Sequence, residues 1–233
     1  MLSVERLGVV LAPKDKEHAK FNAGMVKQGD KVHMLYRWSK STGVWTGEKT
    51  GIRYAEDFVS YAELTPEGKI VYIHRIGADI QIDYFDELED MLDPEYWDHY
   101  EDKIHEKVIM KSEYEWENKK IGGSVPPIKT SEGWLFIYHG VADDREPFCY
   151  RAGAALLDLE NPSKVIARLP YPILEPTEDY EVAGDVPNVV FPVGAYIHEG
   201  YVYISYGGAD KVVALCRFKY DELMKEFRKN PIK

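Results

Sequence analysis

Three residues able to hold an anion occupy matching places in three similar stretches of the chain. They are Arg37 in QGDKVHMLYRW (28–38), Arg75 in PEGKIVYIHRI (66–76) and His139 in SEGWLFIYHGV (131–141). Two guanidinium forks and an imidazole suit a phosphate or a sugar acid, because each fork offers parallel N–H donors to a pair of oxygens. A fourth stretch, HEGYVYISYGG (198–208), puts Tyr206 at the same place. Taken singly, each arginine has an ordinary alternative in a carboxylate partner, and the histidine in a backbone one; equivalence within the repeat sets them apart. Other groups suit a sugar. Lys129 ends KIGGSVPPIKT (120–130), whose glycine pair lets backbone approach a ligand. This is not a Walker loop, since the lysine does not follow a glycine. Asp185 and Asn188 flank a proline turn in GDVPNVVFP (184–192), and Asp210 follows two glycines in YGGAD (206–210). Tyrosine, tryptophan, aspartate and asparagine around a cleft offer flat apolar faces and hydroxyl acceptors. The seven histidines contain no HxxxH pair, so no zinc site is expected.

Strands must position these groups. Short apolar runs bounded by Gly, Pro, Asp or Asn recur: LGVVLAP, KVHMLYRW, KIVYIHRI, KVIM, GWLFIYHG, YRAGAALLDL, KVIARLP, NVVFPVGAYI, YVYISYGG and KVVALCRF. The four matching stretches each begin at a glycine turn and continue as an apolar strand. The strand period of two then puts Leu35 with Arg37, Ile73 with Arg75, Ile137 with His139 and Ile204 with Tyr206 on shared faces. FNAGMVK, VPPIKTS and NVVFPVGAYI read as preceding strands joined by tight hairpins. Repeated hairpins with polar ends on one level describe the blades of a β-propeller. The expected fold is therefore an all-β single domain over 1–233. Only two helices are expected, an acidic insertion over about 84–102 and a C-terminal helix over about 220–229.

Bulk properties agree. The 17 Tyr and 5 Trp favour β-structure. The net charge of −11 argues against a nucleic-acid partner. The excess acidity is local: DYFDELEDMLDPEYWDHYED (83–102) holds ten Asp or Glu and no Lys or Arg. It reads as a solvated helical face rather than a metal loop, whose ligand spacing it lacks. Cys149 and Cys216 make no disulfide framework. The N-terminal run does not read as a signal peptide, and no window approaches the ~18–20 apolar residues of a membrane span, so a cytoplasmic protein without a membrane partner is expected.

The motifs carry a family resemblance. FNAG, MLYR, YIHRIG, GGSVPPIKTSEGWLFIYHGV, YRAGAALLDLENPSKVIAR, YPILEPTEDYEVAGDVPNVVFPVG and YGGAD resemble glycoside hydrolase family 130, the β-mannoside phosphorylases and related mannosidases. The resemblance spans roughly 6–55 and 66–217. It implies a five-bladed β-propeller and inverting attack of inorganic phosphate on a β-mannoside, releasing mannose 1-phosphate with no other cofactor. It implies phosphate ligation by Arg75 and His139, with Gly140 turning the backbone beside the ligand. By the same resemblance Asn22, Arg37, Lys129, Tyr206 and Asp210 line sugar subsites, and Asp185 matches a further family position. An inverting hydrolase needs two carboxyl groups, whereas a phosphorylase needs the acid alone, because cations hold a ready nucleophile.

One departure matters. The family's Gly-x-Glu-Asp-Pro-Arg motif, which carries the general acid, is absent; AEDFVS (55–60), with Asp57, is the nearest string. His74 follows Arg37 by only 37 positions, so about one blade is missing between roughly Tyr54 and Glu67. The expectation is about four blades, closed as four or open, with open edges that a second copy of the chain could cover. Two functions follow: a β-mannosyl-transferring phosphorylase or glycosidase, or a sugar- or phosphate-binding propeller that has lost its acid.

Overall fold

The computed structural model describes residues 2–14, 18–28, 31–40, 60–62, 69–87 and 89–232. Fifteen strands are found among them: β1 Glu5–Leu11, β2 His18–Gln28, β3 Lys31–Lys40, β4 Ser60–Ala62, β5 Ile70–His74, β6 Ile80–Phe85, β7 Val108–Met110, β8 Lys120–Gly123, β9 Ile128–Lys129, β10 Trp134–Ala142, β11 Cys149–Leu157, β12 Val165–Arg168, β13 Val190–His198, β14 Tyr201–Gly208 and β15 Val212–Lys219. The helices are α1 Pro94–Trp97, α2 Tyr100–Lys107, α3 Asp179–Val182 and α4 Tyr220–Lys229, with single 3₁₀ turns at Glu89–Leu92 and Glu115–Glu117. No helix among the described residues is long and apolar enough to cross a membrane.

The strands form four antiparallel sheets: β2-β3, β4-β5-β6-β7, β12-β11-β10-β8 with β9 also on β10, and β1-β15-β14-β13. Each of the four repeated stretches is the second strand of a hairpin in a different sheet, as β3, β5, β10 and β14. The repeat is thus one blade per sheet. β1 pairs with β15, so the first and last strands share one blade. Neighbouring blades meet face to face: β2 lies against β13, β14 and β15, β13 against β10 and β11, and β8 against β5 and β6. The stretch 41–59, and with it Asp57 and most of AEDFVS, lies outside the described residues.

β10 explains its own unbroken apolar run. Leu135 and Ile137 point into a core shared with Val202, Ile204 and Cys216 of the last blade. Trp134, Phe136 and Tyr138 point into a second core with Ile73, Ile80 and Ile121. A strand buried on both faces needs no polar alternation. The C-terminal helix falls where expected. α4 buries Leu223, Met224 and Phe227 against the first core, with Asp221 and Glu222 in its first turn and Arg228 and Lys229 in its last, matching the helix dipole.

The acidic insertion differs from expectation at both ends. Residues 84 and 85 finish β6, and the helical part runs from Glu89 to Lys107. Its acids face solvent, but its aromatic face is anchored. Buried Asp83 accepts hydrogen bonds from Tyr96 (2.5 Å) and Tyr100 and contacts His74 Nε2 at 2.7 Å and Lys107 Nζ at 3.1 Å. Burial alone would raise this carboxyl. Hydrogen bonds from His74, Tyr100, Tyr96 and Lys107 outweigh that and hold it at about 2. Trp97 packs edge-on to the His74 ring at 5.5 Å.

Candidate functional site

β10 is the central strand of its blade, pairing with β11 on one side and β8 on the other. That register sets His139 opposite Gly122. A Cβ at Gly122 would stand 2.6 Å from His139 Cε1, 2.8 Å from Nε2 and 3.2 Å from Arg75 Cδ. The glycine therefore leaves the space into which the imidazole and the Arg75 side chain both reach. Arg75 itself follows β5 immediately and belongs to the neighbouring blade. Two residues 64 positions apart (139 − 75) converge on one spot between two blades.

The turn after β5 is braced so that Arg75 is held in place. Gln81 is buried, accepts from Ile76 N–H at 2.8 Å and donates to Ile76 C=O at 3.3 Å. Arg75 Nη1 donates to Gly77 C=O at 2.6 Å, and Ile121 N–H of the next blade donates to Ala78 C=O at 2.9 Å.

The imidazole is 6% exposed and packs on Phe191 at 4.6 Å and Tyr150 at 6.1 Å. Its Nδ1 lies 2.8 Å from Ser124 Oγ. Burial, followed by the positive charges of Arg75 and Lys120, pushes the His139 pKa down to about 3. The ring is therefore neutral at ordinary pH, and cations surround it. Lys120 opens β8 and sits with Nζ 5.9 Å from the Tyr150 ring centre. Sequence reasoning quoted the stretch containing Lys120 but singled out Lys129. The signal available was β-strand period: Lys120 and Gly122 share a face, two residues apart.

Lys129 stands elsewhere. It pairs with Trp134, with Nζ 5.4 Å from that indole, five residues from His139 along β10, roughly 16 Å at strand rise. Tyr206 is fully buried. Its hydroxyl donates to Glu181 at 2.8 Å and lies 3.2 Å from Tyr180 Oη. Glu181 also accepts from Arg6 at 2.8 Å and from the Thr177 and Glu178 amides. Tyr206 thus closes a buried network that ties β1 to β14.

Asp185 forms an ion pair with Lys211 at 3.0 Å. The segment carrying it clasps the β14–β15 turn, since Val186 N–H donates to Ala209 C=O and Ala209 N–H to Val189 C=O. Asp210 sits in that turn at a positive φ of 51°. Asp185, Lys211 and Asp210 are so gathered at one end of the last blade. The same segment reaches Tyr150, whose ring packs on His139, because Asn188 C=O accepts from Tyr150 N–H at 2.9 Å. Asn22 lies in the bulge of β2 between Phe21 and Gly24, and Arg37 stands opposite Phe21 on β3. The two backbone positions share one end of that hairpin; their side chains lie outside the described residues.

Gly140 has a different reason from the expected one. β10 does not turn there but continues to Ala142. A Cβ at Gly140 would stand 2.4 Å from Trp116 Cζ3 and 2.6 Å from Glu117 Cβ. The 3₁₀ turn presses onto the strand, and only glycine admits it. Below this contact buried Glu117 accepts from Arg168 and from Tyr138 Oη (3.1 Å), and Arg168 Nε donates to Tyr138 Oη at 3.1 Å. That knot locks the strand carrying His139.

Comparison with known proteins follows the same lines. Residues 50–229 match the family described as β-1,4-mannooligosaccharide phosphorylase, glycoside hydrolase family 130. A 1,2-β-oligomannan phosphorylase of Thermoanaerobacter sp. (strain X514) is 43% identical over 157 residues, 66% of this chain and 48% of that protein. A β-1,2-mannobiose phosphorylase of the same strain is 57% identical over 95 residues, 41% of this chain and 30% of that protein. The solved β-1,2-mannobiose phosphorylase of Listeria innocua, in complex with β-1,2-mannobiose, superposes with a TM-score of 0.61 at 26% identity, covering 94% of this chain and 64% of that one. The chain spans about half or less of the length of the curated relatives it matches. Fold, repeat and match agree: this chain belongs to glycoside hydrolase family 130.

Proposed function

We propose that the chain holds inorganic phosphate at Arg75, Lys120 and His139 and transfers a β-mannosyl group to it. In this reading a phosphate oxygen attacks C1 of the β-mannoside from the face opposite the leaving group. The C1–O bond breaks, the proton carried by the attacking hydrogen phosphate passes to the leaving oxygen, and the product is α-mannose 1-phosphate. The carrying observation is the convergence of Arg75 and His139 at Gly122, with Lys120 beside them. Two fixed cations and a neutral imidazole fit a phosphate, which needs charge and several N–H donors. Asp185 and Asp210, gathered at the end of the adjacent blade, are proposed for sugar hydroxyls, together with Asn22 and Arg37. The relatives named above suggest β-1,2-linked mannosides as substrates, and the family's description suggests β-1,4-linked ones.

A second reading has its own observation. No Glu-Asp-Pro-Arg string occurs in the sequence, and loss of a general acid typically removes ~10²–10⁴ in rate. The chain would then bind phosphate or mannoside without turning it over. Incubation with β-1,2- or β-1,4-mannobiose and phosphate, with detection of mannose 1-phosphate, separates the two. Product that disappears in Arg75→Ala and His139→Ala supports transfer. Saturable phosphate binding without product overturns the enzyme and leaves the binding protein. Absence of both phosphate and mannoside binding overturns both.

A further inference from the structure

We infer that Ser124 is a positioning residue that fixes His139 as the tautomer with its proton on Nε2, so that an uncharged imidazole donates toward the spot at Gly122. The inference rests on the phosphate reading for its purpose but not for its geometry. Ser124 is 3% exposed. Among the described residues the one hydrogen bond of its hydroxyl is to His139 Nδ1, at 2.8 Å. A hydroxyl carries a single proton and two lone pairs. If Nδ1 carried the ring proton, Ser124 Oγ would accept it, and the buried O–H would have no acceptor, an arrangement that folded proteins avoid. With Ser124 donating, Nδ1 accepts and the proton of the neutral ring resides on Nε2.

That choice decides the sign of what the site offers. Nε2 is the nitrogen nearest Gly122, 2.8 Å from where a Cβ would stand, on the side reached by Arg75. With the proton on Nε2, the N–H and the charges of Arg75 and Lys120 all favour an anion there. With the proton on Nδ1, a lone pair would face the anion and oppose it. Burial and the two cations keep the ring from gaining a second proton, so the tautomer alone determines whether His139 donates or repels. Tyr150 and Phe191, the rings packed on the imidazole, bring no charge to it.

Long-range ¹H–¹⁵N correlation spectra of the ¹⁵N-histidine-labelled protein at pH 7, with His139 assigned from a His139→Gln sample, read the tautomer directly. The expected result is protonated Nε2 and unprotonated Nδ1. Ser124→Ala should mix the two forms and raise the phosphate dissociation constant about twofold, because the donating tautomer is then populated only about half of the time. Ser124→Thr, which keeps the hydroxyl, should restore both. A proton on Nδ1 in the parent protein overturns the inference, as does a Ser124→Ala protein with unchanged tautomer. If Nε2 is protonated but phosphate does not bind, the tautomer assignment stands and the phosphate reading falls.

Discussion

Replacing His139 by glutamine keeps a neutral donor in the space at Gly122 and removes its titration. In the folded chain the imidazole is pushed from the ordinary 6.5 down to about 3, by burial and then by Arg75 and Lys120. Between these two values the unfolded chain binds a proton at this position and the folded chain does not. Folding stability from this group is therefore complete above pH 6.5 and is lost as pH falls toward 3. The span of 3.5 units, at 1.36 kcal/mol per unit, amounts to about 5 kcal/mol in all. From pH 6.5 to 5 the loss is about 2 kcal/mol, a sizeable part of a typical stability of 5–15 kcal/mol. Urea unfolding of parent and His139→Gln at pH 7.5, 6.5 and 5 measures it. Other groups titrate alike in both proteins, so the difference between them isolates residue 139. The parent should lose about 2 kcal/mol relative to the variant between pH 6.5 and 5. A difference that does not change with pH would refute the reasoning, because it would mean that the ring takes up a proton in the fold as readily as in water.

Two further outcomes follow from the packing. Gly122→Ala drives a methyl to within 2.6 Å of the His139 ring, so the imidazole must swing away. Calorimetry should find phosphate affinity down more than about tenfold with a stability cost of about 1–3 kcal/mol, and unchanged affinity would remove Gly122 from the site. Asp83→Asn takes away a carboxylate held near 2 against an ordinary 3.8. Its contribution of about 2 kcal/mol is present above pH 4 and lost between pH 4 and 2. The variant should be less stable at pH 7 by about that amount and should expose the α2 amides to hydrogen exchange, while equal exchange in both proteins would show that Asp83 does not anchor the insertion.

Much of the fold is legible in the sequence because hairpins are local. All ten apolar runs singled out become strands, and the four aligned stretches fall in four different sheets. β6 carries no clear strand signal because IQIDYF runs straight into the acidic segment, and its buried Asp83 reads as part of a charged face. The insertion's helix extends to Lys107 because Tyr96, Tyr100 and Lys107 all reach back to that one carboxylate. Lys129, expected at a sugar subsite, pairs with Trp134 at the far end of β10, while the β8–β10 register sets Lys120 opposite Val141, two residues from His139. Tyr206 looked like a ligand group at the end of a strand, but its partners, Glu181 and Tyr180, come from a helix about 25 residues away in sequence.

The sequence by itself determined the class of fold, the repeat, the pairing of Arg75 with His139 as one candidate site, and the family. Those follow from short-range periodicity and from motif strings, which survive without knowledge of what packs against what. Tertiary structure alone decided why the glycines are there, what His139 Nδ1 meets and which nitrogen of His139 lies toward Gly122. Each of these depends on atoms brought within 3 Å from elsewhere in the fold: the Gly122 gap holds an imidazole, the Gly140 gap holds a tryptophan edge, and the Ser124 hydroxyl meets Nδ1. Contacts of that kind have no signature along the chain, because the distance in sequence between partners says nothing of their distance in space.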